Sequence, residues 1–262
     1  MYFSARHIDI KLCQDRTDFI NSEDYKSLVI CDGIGEFTDS GKVADVITNL
    51  MIDKSYSSIA QVVLDNELKK LKDDGIKGGT TVIFCKEEKK GVYIEYLGNG
   101  GIIHLNGDYA MKATESIPFQ YCSLMLPHVS LDGSLTRHIS HHSTKNELIA
   151  TKLNLNLSSI NGDIILLYSD GINSLENNII LKDGNDRYWR NESSAIQFIL
   201  EKLHTFLRNL NSRSELNELL VAFNQDVLMD LKNNNFLEDD ASLGIIITEA
   251  VLDYYKNSEW ND

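Results

Sequence analysis

Leu28-Val29-Ile30-Cys31-Asp32-Gly33-Ile34 and Leu166-Leu167-Tyr168-Ser169-Asp170-Gly171-Ile172 share one design. Each is a short apolar run, read as a buried strand, that delivers a carboxylate at its end and then a glycine that frees the backbone to turn. Asp239-Asp240 is the mirror case, because it comes just before the apolar run Leu243-Gly244-Ile245-Ile246-Ile247-Thr248. One Asp-Gly is ordinary turn chemistry. Two copies on matching strands, with an acidic pair at a third, can bring three carboxylates to one edge of a sheet core. Hard divalent cations take such oxygen ligands, and glycine after Asp32 leaves a backbone carbonyl open to the same ion.

Working outward, Arg6 to Leu12 alternates Ile8, Ile10 and Leu12 with His7, Asp9 and Lys11, which predicts a half-buried strand. Helical spacing follows from Gly41 to Leu71, with a break near Ser55 to Ser58. Thr81 to Cys85 and Val92 to Leu97 read as a hairpin, and Gly101 to Leu105 as the next strand. Ser134 to Ile139 and Glu147 to Leu157 are expected to be strands, with the histidines of Arg137-His138-Ile139-Ser140-His141-His142 facing outward. Asp163 to Tyr168 is a buried strand, Ser193 to Leu210 and Glu215 to Leu231 are amphipathic helices, and the chain is expected to fray after Tyr254. Strands, two helices, many strands, two helices and a strand do not alternate regularly. That order disfavours a doubly wound sheet and predicts an α+β fold, with stacked sheets and helices outside. No linker interrupts the chain, so a single domain over 1–250 is expected, followed by a polar tail over 251–262.

The 262 residues carry a formal net charge of −14, which opposes nucleic-acid binding through a broad basic face. An acidic protein that handles anions needs local positive charge, and bound metal cations are one source. Cys13, Cys31, Cys85 and Cys122 are scattered without zinc-site pairing and read as buried reduced thiols. No apolar run reaches bilayer length, and the start of the chain lacks the apolar core of a signal peptide. The expected location is cytoplasmic, away from membranes.

Taken in order, the motifs resemble the metal-dependent protein phosphatase family (PPM, protein phosphatase type 2C) over nearly the whole chain. They are Gln14-Asp15-Arg16, Asp32-Gly33-Ile34-Gly35 with Gly41 and Ala44, Gly78-Gly79-Thr80-Thr81, Gly98-Asn99-Gly100, Ser169-Asp170-Gly171 and Asp239-Asp240-Ala241-Ser242. The resemblance implies a central β-sandwich of two antiparallel sheets flanked by pairs of helices, with a flap at about 171–192 beside a cleft. It implies hydrolysis of phosphoserine and phosphothreonine in protein substrates that a cognate serine/threonine kinase has modified. Two Mn²⁺ or Mg²⁺ ions would be held by Asp32, the Gly33 carbonyl, Asp170 and Asp239, with Asp15 helping through waters. A water between two cations loses a proton readily and becomes the nucleophile.

Departures from the family pattern sharpen these expectations. Ile10 stands where relatives often have a phosphate-clamping Arg, which leaves Arg6, Lys11 and Arg16 as candidates. Asn99 and Ser174 replace the acids of a third, weaker metal site, so two ions are expected rather than three. Ile34 stands where some relatives have His and cannot serve as a general acid. A haloacid-dehalogenase-like reading of Asp32 fails because that chemistry wants a second Asp where Ile34 stands. Gly75 to Thr80 lacks the Lys-Ser/Thr of a phosphate loop. The competing expectation is a catalytically weakened relative that binds a protein partner through the same cleft.

Overall fold

Strands that are apolar at nearly every position must be covered on both faces, and the computed structural model of the protein shows what covers them. It describes residues 1–53, 58–59, 61–107, 119–143, 148–157, 159–172, 177–183, 186–192, 194–211, 213–237 and 239–257. The first half holds β1 (Tyr2–Ile8), β2 (Arg16–Asn21), β3 (Lys26–Cys31), α1 (Ser40–Ile52), α2 (Gln61–Asp73), β4 (Gly79–Thr80), β5 (Val82–Glu88), β6 (Gly91–Leu97) and β7 (Gly101–Asn106). After these come β8 (Cys122–Ser123), β9 (Ile139–Ser140), β10 (Thr151–Asn156), β11 (Asp163–Tyr168), β12 (Asn177–Asp183), β13 (Asp186–Glu192), α3 (Ser194–Arg208), α4 (Leu216–Asn233), β14 (Ala241–Ile247) and α5 (Glu249–Asn257).

Two five-stranded sheets form, in the orders β1-β14-β11-β7-β8 and β10-β6-β5-β3-β2. Every pairing within them is antiparallel. Side-chain alternation sorts the apolar runs into three cores. Leu28 and Ile30 of β3 meet Ile165 and Leu167 of β11, Phe3 of β1 and Ile246 of β14 between the sheets. Val29 and Cys31 face the other way, under Val43, Ile47 and Met51 of α1. Ile164, Leu166 and Tyr168 lie under α3, α4 and α5. The architecture is therefore helices, sheet, sheet, helices. Each fully buried Leu or Ile contributes about 1.5–3 kcal/mol relative to exposure. The sheets approach closely where β14 carries Gly244, since a Cβ there would stand 3.0 Å from both Leu28 methyls.

Several expected elements differ. The first strand ends at Ile8 rather than Leu12, because β14 begins opposite Ile8, at Ala241, and the ladder runs out. Ser134 to Ile139 is not a strand: Leu135 makes an isolated bridge to Val129, and only Ile139–Ser140 pairs, with β4. His141 faces inward, with Nδ1 3.0 Å from the Gly78 carbonyl and its ring edge-on to Phe37. Only Cys31 and Cys85 are buried; Cys13 and Cys122 are exposed. The expected fraying after Tyr254 gives way to α5, whose Val251, Leu252 and Tyr255 complete the core over β11. The apolar spacing of those three residues was hidden among Glu249, Asp253 and Lys256. Among the described residues, no helix is long and apolar enough to cross a membrane.

Tyr255 is 6% exposed, and its hydroxyl lies 2.8 Å from His204 Nδ1. Tyr255→Ala should lower the unfolding free energy by about 3 kcal/mol, read by denaturant titration, whereas Lys256→Ala at an exposed position should leave the midpoint unchanged.

Candidate active site

The ends of β3 and β11 and the start of β14 lie at one end of the sandwich, because β14 runs antiparallel to β11 with Leu243 opposite Tyr168. The Gly78-Gly79-Thr80-Thr81 segment pins the loop that leaves β3. The Asp32 carbonyl accepts from Thr81 N at 2.8 Å and Thr80 Oγ1 at 2.9 Å, and Ile34 N donates to Gly79 O at 2.9 Å. These bonds use Asp32 and Ile34 rather than the Gly33 carbonyl. Ser40 Oγ donates to Ile34 O at 2.7 Å, which ties the loop to the first turn of α1. A Cβ on Gly33 would lie 2.5 Å from Gln14 Cβ, so only glycine lets these segments touch.

Two buried aspartates hold the opposite wall. Asp15, 1% exposed, accepts through Oδ2 from Ser169 Oγ at 2.9 Å and Ser242 Oγ at 2.8 Å. Ser242 N donates in turn to Ser169 Oγ at 2.8 Å. Asp240 accepts Ile10 N at 2.6 Å and Lys11 N at 2.7 Å on Oδ1, and Gln14 N at 2.9 Å on Oδ2. This is why residues 10–14 leave the sheet: their backbone donors bond a carboxylate instead of a neighbouring strand. Burial opposes the charged form of Asp240, but the backbone N–H groups of Lys11, Gln14, Ile10 and Leu12 outweigh it and hold its carboxyl below the usual range.

The acids converge on a cleft of about 170 Å³ lined by Asp15, Asp32, Gly33, Asn99, Asp170 and Asp239, together with Leu12, Ile34 and Leu135. Asp32 stands close to both Asp15 and Asp170; burial, then the negative charges of Asp15 and Asp170, push its carboxyl well up. Burial likewise raises Asp15 to about 6, with the bonds from Ser242 and Ser169 pulling the other way. Gly98 and Gly100, at φ 110° and 109°, flank Asn99 in a turn that side chains rarely enter. That turn lets Asn99 Nδ2 donate to Asp170 Oδ2. Asp239 stands at the mouth, its Oδ1 accepting from Asp240 N at 2.9 Å and its Oδ2 3.6 Å from Lys11 Nζ.

The candidate phosphate ligands are not gathered with the acids. Lys11 alone reaches them, through Asp239. Arg16 is bound to Asp45 and to the carbonyls of Cys13 and Asp15. Arg6 is an exposed mid-strand residue of β1, paired with Leu243. Ser174 lies outside the described residues. Sequence reasoning missed Ser169 and Ser242 as holders of Asp15, and Asp240 as the clamp of the 10–14 loop. The signal was available: a Ser precedes Asp170, and another stands two residues after Asp240.

Among the described residues, no set of three or more His, Cys, Asp or Glu side chains stands ready to close around an ion. Asp15 is occupied by serines, and Asp239 by Lys11 and its own neighbour's backbone. The donors nonetheless fit a hard divalent cation in kind. Asp32 and Asp170 line the same cleft, and the negative charge of Asp170 opposes ionisation of Asp32. The lining residues Gln14 and Asn99 also bury Oε1 and Oδ1 without hydrogen-bond partners.

The fold is that of bacterial serine/threonine phosphatases, as the resemblance implied. A bacterial serine phosphatase variant shares it with a TM-score of 0.59 at 16% identity, over 95% of this chain and 99% of that one. The S. agalactiae serine/threonine phosphatase gives 0.60 at 13% identity, over 93% of this chain and 97% of that one. PppA, a key regulatory component of T6SS in Pseudomonas aeruginosa, gives 0.58 at 13% identity, over 95% and 99%. At such identities the likeness is one of fold. No protein-family model and no curated protein sequence matches the chain.

Asp240→Asn puts an amide donor against backbone donors and should cost about 1.5–3 kcal/mol at neutral pH, read by urea unfolding. Because the native carboxyl titrates below its unfolded value, its contribution is full above the ordinary carboxylate range and fades as pH falls through the lowered native value. The variant's stability should therefore converge on the wild type's in acid.

Proposed function

We propose that the protein is a metal-dependent phosphoprotein phosphatase that hydrolyses phosphoserine and phosphothreonine. The observation that carries this reading is the convergence of Asp32, from the end of a strand in one sheet, and Asp170, from the end of a strand in the other, on one open cleft. Carboxylates gathered at one cleft suit hard cations, and the fold is one that phosphatases use. Asp32, the Gly33 carbonyl, Asp170 and Asp239 are the residues that would hold Mn²⁺ or Mg²⁺. Bound there, such ions supply positive charge to phosphoryl oxygens and acidify water.

The chain's own residues account for the rest. Asp15 fixes the two serines beside Asp170 and Ala241, and so the spacing between the strand ends. Asn99 orients Asp170 by its amide. Lys11, at the mouth, is the basic side chain placed to meet an incoming phosphate once it leaves Asp239. Among the described residues that line the cleft none is a cysteine, and direct attack by water is the reaction the gathered carboxylates suit. The substrate is a phosphorylated protein, the counterpart of a serine/threonine kinase.

A second reading is favoured by one feature. Asp170 is already engaged by Asn99, and Asp239 by Lys11. A phosphatase-like module that binds a protein partner without turnover would retain such internal pairing.

Asp32→Asn should reduce Mn²⁺-dependent turnover of p-nitrophenyl phosphate by at least about 100-fold, since loss of a direct ligand exceeds that of an outer-shell partner. It should also weaken Mn²⁺ binding in titration calorimetry. A wild-type chain that binds phosphopeptide but turns over none would support the second reading.

A further inference from the structure

Beside the acid cleft stands a small hairpin, residues 128–136, that the proposed chemistry does not use. Its base is built firmly. His128 N donates to Gly98 O at 2.9 Å, and Gly98 N donates back to His128 Nδ1 at 3.1 Å. Nδ1 is therefore the acceptor, which leaves the Nε2 proton for Thr151 Oγ1 at 2.8 Å. The ring stacks on Tyr96, with centroids 5.1 Å apart. Thr136 N reaches His128 O at 2.8 Å, Val129 bridges Leu135, and Ser130 N closes on Ser134 O at 2.9 Å around the tip. Gly98 adjoins Asn99, so the hairpin is anchored one residue from the cleft.

Its side chains are the wrong kind for a surface that faces only water. Eight large apolar residues are exposed among the described ones. Two of them, Val129 and Leu131, lie in this segment, Leu126 stands two residues before it, and Leu131 at the tip has no cover at all. A fourth, Leu12, is 50% exposed and lines the cleft itself, as does Leu135 of the hairpin. Scattered single apolar residues need no explanation, but a cluster continuous with a binding cleft marks an interaction surface. Its continuity with the acids decides the occupant: whatever enters the cleft passes over Leu135 and Leu12.

We infer that this hairpin reads the residues flanking the phosphorylated side chain of a protein substrate and favours apolar ones, a conclusion that rests on the phosphatase reading. A phosphoryl group held among Asp32, Asp170 and Asn99 places its neighbours in the chain against Leu135 and Leu12, and Leu131 at the exposed tip of the same hairpin extends that apolar surface. Acidic flanks are repelled by the same cleft, and small neutral flanks bury nothing there.

The test uses the full chain with Mn²⁺ and labelled phosphoserine peptides flanked on both sides by Leu or by Gly, so that charge is constant. Fluorescence anisotropy should show the Leu peptide bound about tenfold tighter, the scale that a few buried methylenes give. Leu131→Ser and, separately, Leu135→Ser should bring the Leu peptide close to the Gly peptide, with folding checked by circular dichroism. Leu131 is exposed, so its variant folds even if the other does not. Wild type that does not distinguish the peptides, or a folded Leu131→Ser that still does, overturns the inference. So does sedimentation showing a dimer that Leu131→Ser dissociates, since the patch then serves a second copy. Turnover of p-nitrophenyl phosphate separates the two claims. Turnover without discrimination rejects the hairpin's role alone, and discrimination without turnover rejects the phosphatase reading alone.

Discussion

A carboxylate shut away from water with two hydroxyls on one oxygen is the constraint around which this end of the molecule is arranged. Asp15 comes from the loop before β2, Ser169 from the end of β11 and Ser242 from the start of β14, and all three meet within hydrogen-bond distance. Burying a charge costs free energy unless it is bonded. The chain meets that cost by making the acid the common partner of the paired β11 and β14 ends and of the loop before β2. Asp240 does the same for the irregular 10–14 loop, with backbone donors on both of its oxygens. The acids of the cleft are thus of two kinds. Asp15 and Asp240 are bonded inward and hold the frame, while Asp32, Asp170 and Asp239 are turned toward the opening.

The frame explains motifs that look merely small in the sequence. Gly78 to Thr81 does not cradle phosphate; its backbone and the Thr80 hydroxyl fix Asp32. Gly98 and Gly100 are there for their backbone angles, which aim Asn99 at Asp170. Helices α1 and α2 on one side, and α3 to α5 on the other, allow the strands beneath them to be apolar on both faces.

Much of this was legible in the residues alone. The paired LVICDGI and LLYSDGI runs announced buried strands ending in carboxylates, and the order of helices and strands gave stacked sheets with helices outside. What escaped was what local pattern does not encode. The alternation of Ile8, Ile10 and Leu12 is a good strand signal, but its backbone donors had a better partner in Asp240, distant in sequence. The last helix was masked by charged residues around Val251, Leu252 and Tyr255, whose burial depends on a sheet formed elsewhere. Ser134 to Ile139 looked extended because its turn is closed by Ser130 and Asp132 side chains, which carry no period.

The two halves of the acid constellation belong to different sheets, Asp32 to one and Asp170 with Asp239 to the other. Among the described residues no hydrogen-bond ladder spans that divide, and the gap is set by how Leu28 and Ile30 nest against Gly244. The distance across the cleft floor is therefore a property of the sandwich filling. A methyl group added or removed in that filling would act as a shim beneath the reacting end, and hydrostatic pressure would turn the same screw without any change of residue.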